Sequence, residues 1–81
     1  MFFGIFIRMF YDDHAPPHFH AEYGEFKVKM AIDTLEILDG YLPNRALGLV
    51  LEWAVLHRNE LRADWELCVN RQQPNKIHPL E

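Results

Sequence analysis

The sequence predicts an α+β fold, in which a small antiparallel sheet of three or four strands packs against one or two C-terminal helices. Three observations support this class. Apolar and polar residues alternate with strand periodicity through about residues 2–38, apolar residues recur with helical spacing through about 43–71, and the strands precede the helices. A chain of 81 residues forms one domain. Residues 72–81 contain Pro74 and Pro79, which predict an extended tail.

The stretch that begins at His18 predicts a β-hairpin. Residues of alternating character run up to Tyr23, and Gly24-Glu25 fits a two-residue turn with glycine first. Such a turn fixes the register and matches apolar with apolar and polar with polar residues. The expected pairs are Tyr23 with Phe26, Glu22 with Lys27, Ala21 with Val28, His20 with Lys29, and Phe19 with Met30. One side of the hairpin is therefore apolar, and the other carries histidines and lysines.

Two further strands flank the hairpin. The segment 2–11 has apolar residues on both faces, which predicts a central strand. Arg8 is its exception: it either shares the polar face with the histidines or reaches into solvent as an edge arginine. Residues 35–38 predict a short fourth strand that Asp39-Gly40 closes.

The C-terminal half is helical. Leu42-Pro43-Asn44 predicts the start of a helix, and Ala46 to Val55 follows helical apolar spacing. A second helical stretch runs from about 59 to 70. No glycine or proline interrupts His57-Arg58, so the sequence leaves open whether the helix breaks there. The apolar stripe consists of Leu47, Val50, Leu51 and Ala54, widened by Ala46, Leu49 and Trp53, and then Leu61, Trp65 and Cys68 or Val69.

Composition limits the classes of function. A net charge of −4 and a pI near 5.7 argue against a general nucleic-acid binder, although a local basic patch remains compatible with them. The single cysteine, Cys68, forms no internal disulfide. The apolar run from Phe2 to Ile7 is too short for a membrane span and lacks the flanks of a signal peptide. We therefore expect a soluble cytoplasmic protein.

Three histidines beside two prolines mark the candidate site, and one interpretation is a metal centre. His14, His18 and His20 have the spacing H-x3-H-x-H, and imidazoles suit zinc or another transition metal. Lys29, expected opposite His20, would repel a cation. The sequence thus requires no cofactor and offers a histidine metal site as an alternative.

A second interpretation is acid–base chemistry without metal. His18 and His20 can transfer protons, and Lys29 with Arg8 can stabilise a developing phosphate charge, as in a small ribonuclease with RNA as substrate. In a third interpretation the histidines are exposed polar residues, or are buried against the second helix or a partner chain. In a fourth, the same face forms a polar protein–protein contact. The residues alone leave open whether the protein is an enzyme.

Aromatic residues outside the hairpin core suggest a contact surface. Trp53 is expected to be a core residue or an interface anchor, and His57 a helix-end or core histidine. With Tyr23, these two residues form the predicted partner-binding set. A homo-oligomer is also compatible with a chain of this size, because a small domain gains stability by burying surface against a partner.

Two blocks of the sequence resemble a known family. The first runs from Gly4 to Tyr11 and continues through His14-x-Pro16-Pro17-His18-Phe19-His20-Ala21-Glu22-Tyr23. The second contains Leu42-Pro43-x-Arg45-Ala46-Leu47, then Leu51-Glu52-Trp53-Ala54-x-Leu56-His57, Glu60-Leu61 and Trp65. Together they are similar to the small prokaryotic family catalogued as domain of unknown function 4160. Relatives usually carry several more residues before the Phe3-Gly4 position.

The resemblance implies a partner rather than a reaction. Members of that family are commonly encoded beside a second small protein, domain of unknown function 2442, in pairs that look like toxin–antitoxin modules. This chain would be the toxin half, with a small antitoxin-like protein encoded next door as its partner. No established catalytic residues accompany the family, so the resemblance assigns none here.

Overall fold

The computed structural model describes residues 3–10 and 15–72, which form a four-stranded antiparallel sheet followed by two helices. The strands lie in the sheet in chain order. The elements are β1 (Ile5–Arg8), β2 (His18–Tyr23), β3 (Phe26–Ala31), β4 (Ile37–Gly40), α1 (Asn44–Leu56) and α2 (Arg58–Val69). The predicted α+β class is confirmed. The predicted tail beyond Gln72, and His14, lie outside the described residues.

The β2–β3 hairpin has the predicted register. All five expected pairs are present, and His18 opposite Ala31 extends the ladder. Gly24 has a φ of 59°, as a two-residue turn with glycine at its first central position requires. Phe19 and Ala21 on β2 are fully buried, as is Met30 on β3. The alternation of side chains therefore places one face of the hairpin in the core and turns the other away from it.

The prediction of a central first strand was wrong. β1 forms one edge of the sheet and pairs with β2 alone in the described part of the chain. Ile5 is fully buried, whereas the neighbouring Phe6 is 44% exposed on the opposite face. Apolar residues on both faces thus reflect an exposed aromatic ring rather than burial on two sides. Arg8 lies opposite His20, so it shares the face of the histidines.

The fourth strand begins two residues later than expected. Leu35 has a φ of 61° and donates its N–H to the carbonyl oxygen of Ala31 at 2.9 Å, so it belongs to the turn after β3. Asp39 and Gly40, predicted to close the strand, are part of it and lie opposite Lys29 and Val28. The pairing is irregular between Lys29 and Met30, where β4 contains one extra residue.

The helices cover the apolar face of the sheet. In α1, Ala46, Val50, Trp53 and Ala54 are buried, and the ring of Trp53 lies 6.2 Å from that of Phe19 between centroids. In α2, Leu61, Trp65 and Cys68 are buried, while Val69 is 54% exposed. No helix of the described part is long and apolar enough to cross a membrane.

A break at His57 separates the two helices. This residue has a φ of −117°, yet its N–H still donates to the carbonyl oxygen of Trp53 at 3.0 Å. A straight helix over residues 44–69 would be about 39 Å long at 1.5 Å per residue. The longest axis of the fold is 33 Å. The break therefore keeps α2 on the sheet, where Arg62 pairs with Asp33 in the turn between β3 and β4.

Two glycines with positive φ give a matched test of this backbone. We expect Gly24→Ala to lower the free energy of unfolding by about 1 kcal/mol, the usual cost of a left-handed alanine. Gly40 has a φ of 87°, and a Cβ there would overlap the carbonyl oxygen of Lys27. Gly40→Ala should therefore cost roughly 3 kcal/mol or more. Urea denaturation measures both, and equal losses would contradict the close approach of β4 to β3.

Candidate functional site on the open face of the sheet

We call the side of the sheet that points away from the helices the open face. A row of four ionisable side chains crosses it. Arg8 of β1 lies opposite His20 of β2, His20 opposite Lys29 of β3, and Lys29 opposite Asp39 of β4. Directly opposite residues in antiparallel strands have Cα atoms about 4.5–5.5 Å apart. The sheet therefore brings Arg8, His20 and Lys29 together, as the acid–base interpretation requires.

Arg8 is held by a second residue of the open face. Its Nε lies 3.2 Å from Oε2 of Glu22, and its guanidinium carbon lies 5.6 Å from the centroid of the Phe6 ring. The side chains of the ion pair are 50% and 24% exposed. A solvent-exposed pair of this kind contributes only about 0–1 kcal/mol. An incoming anion can therefore compete with Glu22 for the guanidinium.

His18 is a buried residue at the margin of the open face. It is 3% exposed, and its Nδ1 lies 2.7 Å from the carbonyl oxygen of Pro16. A carbonyl only accepts hydrogen bonds, so Nδ1 carries the proton and donates it. The imidazole also lies 5.1 Å from the indole ring of Trp65. His18 is thus buried against the second helix, as the third interpretation described.

His20 keeps partial exposure in the middle of the row. Its ring meets that of Phe10 edge-on at 4.8 Å and that of His18 at 5.1 Å. Because His18 is buried and donates to the backbone, it does not form an exposed acid–base pair with His20. The catalytic role of these residues stays a prediction, and within it His20 is the histidine that solvent and a ligand reach.

The metal interpretation depends on a residue outside the described part of the chain. His14 falls there, and His18 uses its Nδ1 as a hydrogen-bond donor to Pro16. Within residues 3–10 and 15–72, no group of three or more histidines, cysteines or acids is placed to hold a metal ion. The described residues do not by themselves fit a zinc site, and the histidine metal site stays a prediction.

The three predicted partner-binding residues occupy different environments. Trp53 is 2% exposed and belongs to the core. The ring of His57 lies 5.3 Å from that of Trp53, and its Nδ1 donates to Oε1 of Glu60 at 2.7 Å. Tyr23 is 38% exposed at the end of the hairpin. Tyr23 is therefore the one of the three that offers a surface to a partner.

Sequence reasoning missed residues that complete the open face. Phe6 and Phe10 are 44% and 46% exposed beside Arg8 and His20, and Asp39 ends the row. The alternation around Arg8 already placed both phenylalanines on the same face as this arginine. Because β1 was expected to be a central strand, both rings were expected to be buried. The shift of β4 hid Asp39, and no local pattern reveals that shift.

The comparison with family models shows to which family the chain belongs. The model described as "Domain of unknown function (DUF4160)" matches residues 4–66. The chain belongs to this family. The matched segment of DUF4160 contains all four strands, the whole of α1 and α2 as far as Glu66. No curated protein and no solved structure gives a significant match to the chain.

The burial of His18 predicts unequal roles for the two strand histidines. We expect His18→Ala to lower the free energy of unfolding by about 2–4 kcal/mol, because a buried ring and its hydrogen bond are lost. His20→Ala, which removes a partly buried ring, should cost about 1 kcal/mol or less. Chemical denaturation checks both values. A His18→Ala variant as stable as His20→Ala would show that the first ring does not stabilise the fold.

Proposed function

We propose that this DUF4160 protein binds a small partner protein, acting in the cytoplasm as the toxin component of a two-gene toxin–antitoxin-like module. We further propose that the partner docks on the outer side of β4. The docking site is supported by one observation: an apolar strand is exposed at the edge of the sheet. The role as a toxin rests on the two-gene arrangement that the family resemblance implies.

β4 is exposed along its whole length. It is the last strand of the sheet, so its outer backbone groups face no further strand in the described part of the chain. Ile37 and Leu38 are 46% and 41% exposed. An open apolar edge strand is a template to which another chain can add a strand by main-chain hydrogen bonds. The chemistry of this edge therefore favours a protein or peptide as its occupant.

Aromatic side chains extend this edge toward the hairpin turn. Tyr41, which follows β4, is 60% exposed, and its ring lies 5.8 Å from that of Phe26. Phe26 lies opposite the half-exposed Tyr23. Tyrosines are enriched at protein interfaces because they combine a large apolar area with a polar tip. These aromatic side chains could therefore anchor a partner beside the edge where its strand would pair.

β4 is also firmly attached to the sheet. The N–H of Tyr41 donates to the carbonyl oxygen of Lys27 at 2.8 Å, and Gly40 lies against the backbone of Val28. A docking strand that is already ordered loses little conformational entropy when a partner binds. The edge is therefore prepared for binding without rearrangement.

Expression of the gene alone and with its neighbour tests the role as a toxin. We expect growth to stop when this chain is induced alone, and to recover when the adjacent small gene is induced with it, because the partner occupies the toxin. Growth curves and viable counts measure the effect. Unimpaired growth after induction alone, with the folded protein present in the lysate, would contradict the role.

A charge placed on the edge tests the docking site. We expect Leu38→Lys to weaken binding of the adjacent gene's product at least tenfold, because a lysine at this position opposes strand addition. Val69→Lys puts the same charge on an exposed apolar residue of α2 and should leave binding unchanged. Titration by calorimetry measures both. Equal affinities for the two variants would move the partner away from β4.

A further inference from the structure

We propose that the open face binds single-stranded RNA. Phe6 and Phe10 would stack on bases, while Arg8 and Lys29 contact phosphates. This surface uses other side chains than the outer edge of β4, so the inference does not depend on the proposed partner.

The two phenylalanines are placed as a stacking platform. Phe6 follows the buried Ile5, so it points away from the helices, and it is 44% exposed. Phe10, 46% exposed, lies edge-on to His20 and therefore on the same side of the sheet. Aromatic rings on the solvent side of a four-stranded sheet are a recurrent way of holding unpaired bases.

Charge on the open face differs from charge on the rest of the chain. The face carries three basic residues, Arg8, Lys27 and Lys29, and two acidic ones, Glu22 and Asp39. Residues 3–10 and 15–72, which the structure describes, include 7 basic and 9 acidic residues. Among them, the open face has a formal charge of 3 − 2 = +1, and the remaining residues have 4 − 7 = −3. A polyanion is attracted to this face and repelled by the others.

The combination of rings and cations favours a single strand over a duplex. Stacking on a phenyl ring requires an unpaired base, because both faces of a paired base are already stacked inside the helix. Alternation along β1 puts Arg8 on the same face as Phe6, with its guanidinium carbon over the ring at 5.6 Å from the centroid, so a base that stacks on the free side of this ring brings its own phosphate near the guanidinium. Since most single-stranded nucleic acid in a cell is RNA, we assign RNA as the occupant.

Glu22 sets the strength of this binding. It holds Arg8 in an ion pair that a phosphate must displace. Glu22→Gln removes the competing charge while it keeps the shape of the side chain. This variant should therefore bind RNA more tightly than the wild-type protein, by roughly twofold to fivefold for an exposed pair worth up to about 1 kcal/mol.

Fluorescence anisotropy with a labelled 12-nucleotide RNA of unstructured sequence tests the platform. Phe6→Leu keeps an apolar side chain and loses the ring, so affinity should fall by roughly five- to a hundredfold. Tyr41→Leu removes a more exposed ring beyond β4 and should leave RNA binding unchanged. Circular dichroism spectra and thermal melts of each variant confirm that the fold persists before affinities are compared.

The salt dependence of binding separates phosphate contacts from a general effect of charge. Each phosphate contact to a single strand contributes about 0.7 to the slope of log affinity against log salt. Lys29→Gln should reduce the slope by about that amount, whereas Phe6→Leu should lower affinity with the slope unchanged. Arg45 lies on the exposed side of α1, away from the open face. Arg45→Gln removes the same charge there and should change neither the affinity for RNA nor the slope.

Several outcomes would overturn the proposal. These are no detectable binding by the wild-type protein at low salt, an unchanged affinity in Phe6→Leu, or equal losses in Lys29→Gln and Arg45→Gln. Tighter binding of the matching DNA strand would overturn RNA as the occupant, and equal binding of a duplex would overturn stacking. Leu38→Lys should bind RNA normally, so failure here and failure of the partner docking on β4 are distinguishable.

Discussion

The reversal of the chain at Gly24 is the constraint on which the rest of the structure depends. A two-residue turn with glycine first fixes the pairing of β2 with β3, and the strand period of two then assigns every side chain of the hairpin to one face. Phe19, Ala21 and Met30 enter the core together. The same register puts His20 opposite Lys29 on the other side. One turn thus creates both the hydrophobic core and the open face.

The helices complete what the hairpin begins, and His18 lies where the two sides of the sheet meet. The chain bends at His57, so α2 stays on the sheet instead of projecting beyond it. Its Trp65 then packs on His18, a residue whose position in the strand would otherwise expose it with His20. Hydrogen bonding of His18 to Pro16 satisfies the buried Nδ1. The margin of the open face is therefore structural, and its middle is accessible.

The open face and the outer edge of β4 share a border. β4 presents an apolar edge on its outer side, while Asp39 faces Lys29 across the sheet. A partner on the edge and a ligand on the open face would therefore lie side by side on one sheet. The histidine motif by itself did not indicate this arrangement, because both surfaces depend on which strands are at the edges.

Local pattern determined a large part of this protein. Alternation and turn chemistry predicted the hairpin and its register, helical spacing predicted the buried faces of α1 and α2, and the residue blocks predicted the DUF4160 family. These features depend on residues close together in the chain, so the sequence records them directly.

Only the tertiary structure decided the order of the strands, the start of β4, the break at His57 and the burial of His18. The apolar spacing continues in phase through both helices, so no periodicity marks the break. His18 and His20 have equivalent positions in the strand pattern. His18 is the more buried of the two, and Trp65, 47 residues further along the chain, packs on it.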